Sequence, residues 1–248
     1  MIVHFIGAGP GAPDLLTLRG RDFIAAAPVC LYAGSLVPRE ILAYAPANAR
    51  IVDTAELDLD EIVAEIVRAH ERDEVVARLH SGDLSIWSAM AEQIRRLDTL
   101  GIAYDMTPGV PSFAAAAAAL RQEFTLPGVA QTIVLARTAT RSTALPPGEE
   151  LASLARTGAT LVLHLSIANV ELVVRELVPY YGAEAAAAVV CRASWPDECI
   201  VRTTLGELAQ AVRAAGIDRN ALIIVGRSIG AAEFGESYLY SAQRDRTL

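Results

Sequence analysis

Three short stretches place glycine, proline and small polar residues directly after apolar runs. These are the positions where the chain could do chemistry. The first is Gly7, Ala8, Gly9, Pro10, Gly11 and Ala12, which fits G-x-G-x-x-G/A. Between a strand and a helix, such a turn offers backbone N–H groups to a phosphate, as in dinucleotide sites. Pro10, however, has no N–H in the middle of that cradle, and Pro13 stiffens the way into the helix. The next apolar run ends in Ala33, Gly34 and Ser35, not in the acid that would hold a ribose. The turn therefore reads as a close backbone approach to a ligand other than a dinucleotide, or as a plain strand-to-helix turn that needs small residues. The second stretch is Ser81, Gly82 and Asp83, with Ile86 and Trp87 just beyond. Turn chemistry beside bulky apolar side chains suits a small amphipathic ligand, and equally a turn over a core tryptophan. The third is Thr107, Pro108, Gly109, Val110, Pro111 and Ser112. Ser112 is expected to cap the alanine-rich helix that follows, with the Pro111 carbonyl and the Ser112 hydroxyl free to meet a ligand.

Composition removes several chemistries. The 21 basic residues are all arginine, so Schiff-base, P-loop and kinase-type lysine mechanisms are excluded. A net charge of −8 excludes a global basic footprint for nucleic acid. Cys30, Cys191 and Cys199 are too few and too widely spaced for a disulfide framework. Cys191 and Cys199 with His164 lack any CxxC or HxxxH spacing, so no metal site is expected. Mean hydropathy is +0.35, which points to a folded chain, but no run approaches the roughly 20 apolar residues of a membrane span. The opening MIVHFIGAGPG has neither a basic n-region nor a cleavage-type apolar region. A cytoplasmic protein with reduced thiols is the expectation.

The elements that must position these turns alternate. In the first half, strands are expected over residues 2–6, 29–32, 51–53, 74–79 and 103–106, and helices over 15–26, 59–72, 88–99 and 112–121. The clearest helix sets Ile62, Val63, Ile66 and Val67 against Asp60, Glu61, Glu65 and Arg68. After Leu126, Pro127 and Gly128 the rhythm resets, with strands over 131–136, 160–165, 186–192 and 221–225 separated by helices over 151–156, 170–178 and 204–215. The expected fold class is α/β, with two α/β domains at residues 1–121 and 131–248, each on a parallel or mixed sheet. Glu65–Arg68 and Glu171–Arg175 read as helix-surface pairs.

FIGAGPGAPDLLTLRG, LYAGSLVP, RLHSGDLSIWSAMAEQ, TPGVPSFAAAAAAL, FTLPGVAQTIVLAR and CRASWPDE together resemble the tetrapyrrole methylases, almost end to end. That resemblance implies two α/β domains with S-adenosylmethionine in the cleft between them, in a homodimer. By motif it implies Pro10, Ser81, Gly82, Asp83, Ile86, Pro111, Ser112, Leu165, Ala193 and Ala221 as the residues that bind this methyl donor. AGSLVP, FTLP with QT, and RASWPDE imply C-methylation of a corrin precursor, precorrin-4 at C11, with the cobalt-bound form of that substrate as the alternative. Two departures stand out. The family loop often reads G-D-P, where this chain has Gly82, Asp83 and Leu84. Ala33 stands where some members carry an aspartate, so a base there has no counterpart.

Methyl transfer from a sulfonium to an electron-rich ring carbon is an in-line displacement, in which positioning and exclusion of water do most of the work. By placement, Tyr32, Asp83 and His80 are the candidates for taking a proton afterwards. A tetrapyrrole polycarboxylate and a chain of charge −8 repel each other, which calls for a local arginine cluster. Arg39, Arg137, Arg141 and Arg192, with Tyr32 and Ser35, are the substrate candidates. Readings from other classes are a nicotinamide-dependent oxidoreductase, a non-catalytic binding module, and a methylase of the same family acting on another substrate such as diphthine.

Overall fold

The computed structural model describes residues 1–139, 144–240 and 244, apart from the side chains of Ser35 and Tyr240; Arg141 lies outside the described residues. The chain divides into two units, one of residues Met1–Ala115 with Ser194–Pro196, the other of Ala116–Ala193 with Asp197–Leu248. Both are α/β.

In the first unit, β1 (Val3–Gly7), β2 (Val29–Tyr32), β3 (Arg50–Asp53), β4 (Val76–His80) and β5 (Tyr104–Thr107) form one parallel sheet in the order β3-β2-β4-β1-β5. Parallel strands need crossovers, and helices cover both faces. On one face Ile6, Cys30, Ala77 and Leu79 pack with Ile24 of α1 (Leu18–Ala26) and Ile41 of α2 (Arg39–Leu42). On the other, Phe5, Leu31 and Val76 pack with Ile66 of α3 (Leu59–Glu71) and Leu97 of α4 (Ala91–Leu100). Burial on both faces explains why β1 and β4 are buried along their whole length. Asp58 and Glu61 close a capping box at the start of α3, a start signal that the apolar stripe alone had not supplied.

The helix expected over 15–26 is two pieces. A 3-10 turn, Pro13–Leu15, precedes Thr17, whose hydroxyl accepts from the Gly20 amide and starts α1. The helix expected from residue 88 starts only at Ala91, because Trp87 and Ala89 hold left-handed φ values of 48° and 52°.

The second unit holds β6 (Ile133–Arg137), β7 (Thr160–His164), β8 (Ala186–Cys191), β9 (Cys199–Thr204) and β10 (Ala221–Val225) in the order β6-β7-β10-β8-β9. Only β6 and β7 pair in parallel. α5 (Ser112–Leu120) straddles the division between the units. α6 (Leu151–Ala155), α7 (Val170–Tyr181) and α8 (Leu208–Ala214) pack on one face through Leu151, Val173, Leu177, Leu208 and Val212. β9 is a strand that the sequence reading lacked. The helix expected over 204–215 overran its last residue and starts only at Leu208. α7 runs on through Pro179, where the missing N–H costs one bond near the last turn, rather than stopping at Val178. Glu171 pairs with Arg213 at 2.5 Å rather than with Arg175, and Glu65 bridges Arg50 as well as Arg68. Among the described residues no helix is long and apolar enough to cross a membrane.

Candidate cofactor site

All three turns lie at the C-terminal edge of the first sheet, because β1, β4 and β5 are parallel neighbours. They interlock through backbone. Ala8 N–H donates to the His80 carbonyl at 2.7 Å. Gly9 N–H donates to the Gly82 carbonyl at 3.1 Å, and Gly82 N–H returns a bond to the Gly9 carbonyl at 2.7 Å. A Cβ at Gly109 would run into the Gly82 carbonyl oxygen and the Gly7 backbone, and one at Gly7 would run into Gly109. Gly82 sits at φ +66°, beside the Pro111 Cα and the Ser112 amide. Gly7 and Gly109 thus let the turns touch where side chains would hold them apart, and Gly82 supplies the left-handed backbone that the second turn needs.

Asp83 braces this arrangement. Its Oδ2 accepts from Gly109 N–H at 2.8 Å, and its Oδ1 accepts from Ser85 N–H at 2.9 Å and from the Ser85 hydroxyl. Burial alone would raise the Asp83 pKa. The donors from Ser85, Gly109 and Leu84 outweigh it and hold the carboxyl below its ordinary value. Leu84 follows the aspartate, so hydrogen bonds of Asp83 and not a proline ring tie this turn. Ser81 and Ile86 are half-buried on either side.

Two expectations change at the third turn. The helix begins at Ser112 itself, so the capping position belongs to Pro111. The Pro111 carbonyl is not free: it accepts from the Ala114 and Ala115 amides at 3.1 and 3.3 Å.

Beneath the turns lies a buried polar chain that the sequence reading missed. Arg78 is 3% exposed, and its hydrogen-bond partners are neutral: Gln93 Oε1 at 3.0 Å and Thr54 Oγ1 at 2.9 Å. Burial pushes its pKa down to about 10, so it stays charged at neutral pH. The Thr54 hydroxyl donates to the Tyr32 carbonyl at 2.9 Å, and Gln93 Nε2 donates to the Ala89 carbonyl at 3.1 Å. One guanidinium thereby fixes both the end of β2 and the strained backbone at Ala89. A lone arginine in an apolar strand was the available signal.

None of the three proton-acceptor candidates is poised near neutrality. Burial, and then the Arg78 charge, push His80 down to about 3. Its Nδ1 lies 2.9 Å from the Ser88 carbonyl, an acceptor only, so Nδ1 carries the proton. Burial and a hydrogen bond with Asp53 raise Tyr32, which keeps its phenol protonated. Asp83 is shifted the other way, as above.

Arg39 is exposed at the start of α2. In the second unit, pairing of β6, β7, β10 and β8 brings further candidates to one sheet edge. Arg137 ends β6, Leu165 follows β7, Ala221 opens β10 opposite Cys191, and Arg192 and Ala193 follow β8. Leu165 is 61% exposed at φ +51°. That is a costly state for an apolar side chain, of the kind that clusters at ligand sites. Arg192 is engaged by Asp197 at 2.6 Å.

The family model of the Tetrapyrrole (Corrin/Porphyrin) Methylases matches residues 2–209. The chain belongs to the tetrapyrrole methylase family. A precorrin-4 C(11)-methyltransferase of Rhodococcus erythropolis is 57% identical over 247 residues, spanning 100% of this chain and 99% of that protein. The solved structure of a cobalamin biosynthetic enzyme, cobalt precorrin-4 methyltransferase, matches with a TM-score of 0.89 at 37% identity, over 93% of this chain and 96% of that one. A Thermus thermophilus uroporphyrin-III C-methyltransferase complexed with S-adenosylhomocysteine matches with a TM-score of 0.77 at 28% identity, over 92% and 99%. The fold and methyltransferase class that the sequence resemblance implied both hold for this tetrapyrrole methylase.

Proposed function

We propose that this chain transfers a methyl group from S-adenosylmethionine to C11 of precorrin-4, giving precorrin-5 in cobalamin biosynthesis. The observation that carries this reading is the full-length 57% identity to a protein of that name. The cobalt-bound substrate is the second reading, favoured by the solved structure at 37% identity. The metal-free form is preferred because the greater identity lies on its side.

The turns fit the donor. Gly7 and Gly109 bring backbone carbonyl and amide groups together where side chains are excluded, Gly82 turns the chain beside them at φ +66°, and Asp83 keeps a negative charge among them. We assign Pro10, Ser81, Gly82, Asp83, Ile86, Pro111 and Ser112 to donor binding, together with Leu165, Ala193 and Ala221 from the second unit. Tyr32, Ser35, Arg39, Arg137 and Arg192 are assigned to the substrate's carboxylates. S-adenosylmethionine, when bound, supplies a methyl group already activated by the sulfonium charge. The chain's own contribution is then positional: the Asp83 brace holds the second and third turns together, and Arg78 holds the end of β2 and the backbone at Ala89. The shifted His80, Tyr32 and Asp83 agree with a reaction that asks little of a side-chain base. A cytoplasmic homodimer is part of the same reading.

Calorimetric titration of ligand-free protein with S-adenosylhomocysteine, against NADH, tests it. Saturable binding of S-adenosylhomocysteine alone is expected. Binding of NADH alone would return the oxidoreductase reading, and binding of neither would leave a module without this donor.

A further inference from the structure

Ser194–Pro196 belong to the first unit, although the residues on both sides of them belong to the second. Within the first unit they meet the glycine-rich turn at three points. Trp195 Nε1–H donates to the Pro10 carbonyl at 2.8 Å. The Ser194 hydroxyl oxygen accepts from the Ala12 amide at 3.0 Å. A Cβ at Gly11 would collide with the Trp195 indole ring. The turn has two halves with different supports. Ala8 and Gly9 are tied to β4 and the residue-82 turn by backbone bonds. The Pro10 carbonyl and the Ala12 amide are tied by the side chains of Trp195 and Ser194, in a short strap of residues 194–196. Ser194 itself holds φ +68°, so the strap is bent to deliver these contacts.

We propose that Trp195 and Ser194 are positioning residues for the 10–12 half of the turn, and that methyl-donor affinity depends on the Trp195 indole N–H. The proposal rests on the donor-binding reading above. A turn rich in glycine is costly to order, and one that is already held binds its ligand without that cost.

Trp195→Phe keeps most of the ring and removes the donor. The dissociation constant of S-adenosylhomocysteine, measured by calorimetry at 25 °C where both proteins are folded, is expected to rise about five-fold, the scale of one hydrogen bond. A merely structural tryptophan would lower the thermal midpoint and leave that constant unchanged, which would overturn the proposal. A second set uses Gly11→Ala, Trp195→Ala and the pair. Gly11→Ala is expected to weaken binding in the parent and to add nothing once Trp195→Ala has removed the ring. Full additivity would overturn the interlock. Should the parent bind no S-adenosylhomocysteine, the donor reading fails, and positioning with it. Thermal denaturation of the same four proteins then shows the contact separately: Gly11→Ala destabilises only where Trp195 is present.

Discussion

Asp83 shows how a residue named for ligand binding can act through its neighbours. Its two carboxylate oxygens hold the Gly109 and Ser85 amides. Asp83→Ala leaves the Gly109 amide without its acceptor, and roughly ten-fold weaker S-adenosylhomocysteine binding is expected, equivalent to about 1–2 kcal/mol. Asp83→Asn keeps one carbonyl oxygen for Gly109 and loses less. Calorimetry on both variants checks this; equal affinity in all three proteins would remove the brace. Because the Asp83 pKa is lowered from its ordinary 3.8, the brace is complete above the ordinary carboxylate range and fails only as pH falls below it. Affinity is therefore expected to be flat in this respect from pH 5 to 8. At this scale the sequence named the turn residues by type. It did not show that Gly7, Gly82 and Gly109 touch, or that Trp195 returns to Pro10, because those contacts depend on strand order.

Parallel pairing of β1 with β4 and β5 is what turns three separate loops into one surface. Gly109→Ala tests that directly: its Cβ would meet the Gly82 carbonyl and the Gly7 backbone. A loss of about 3 kcal/mol or more is expected in chemical denaturation, since backbone cannot step aside cheaply. A change within about 0.5 kcal/mol would mean that the turns are looser than described. Strands buried on both faces were legible as apolar runs, and α3 was legible through its apolar stripe. β9 was not. It follows the irregular segment around Trp195 and Pro196, only part of each side chain is buried, and a helical pattern beginning at Thr204 absorbed its end.

Two strands end in a buried histidine, His80 on β4 in the first unit and His164 on β7 in the second. Burial pushes them down to about 3 and about 4. The unfolded chain takes up a proton near 6.5, the folded one only far below, so this stability is complete above pH 6.5 and is lost progressively as pH falls toward the folded values. About 2 kcal/mol per histidine is expected to go between pH 7 and pH 5. Urea denaturation at the two pH values measures it, and His80→Gln should flatten the first unit's share. The α/β class and the methylase family were legible over nearly the whole chain, because motif and alternation ran end to end. C11 of precorrin-4 is the proposed methyl acceptor. Precorrin-4 incubated with the enzyme and S-adenosylmethionine carrying a carbon-13 methyl group, followed by NMR of the product, tests it most directly. A single labelled methyl on C11 is expected. A methyl on another ring carbon, or transfer only to the cobalt-bound substrate, would contradict it.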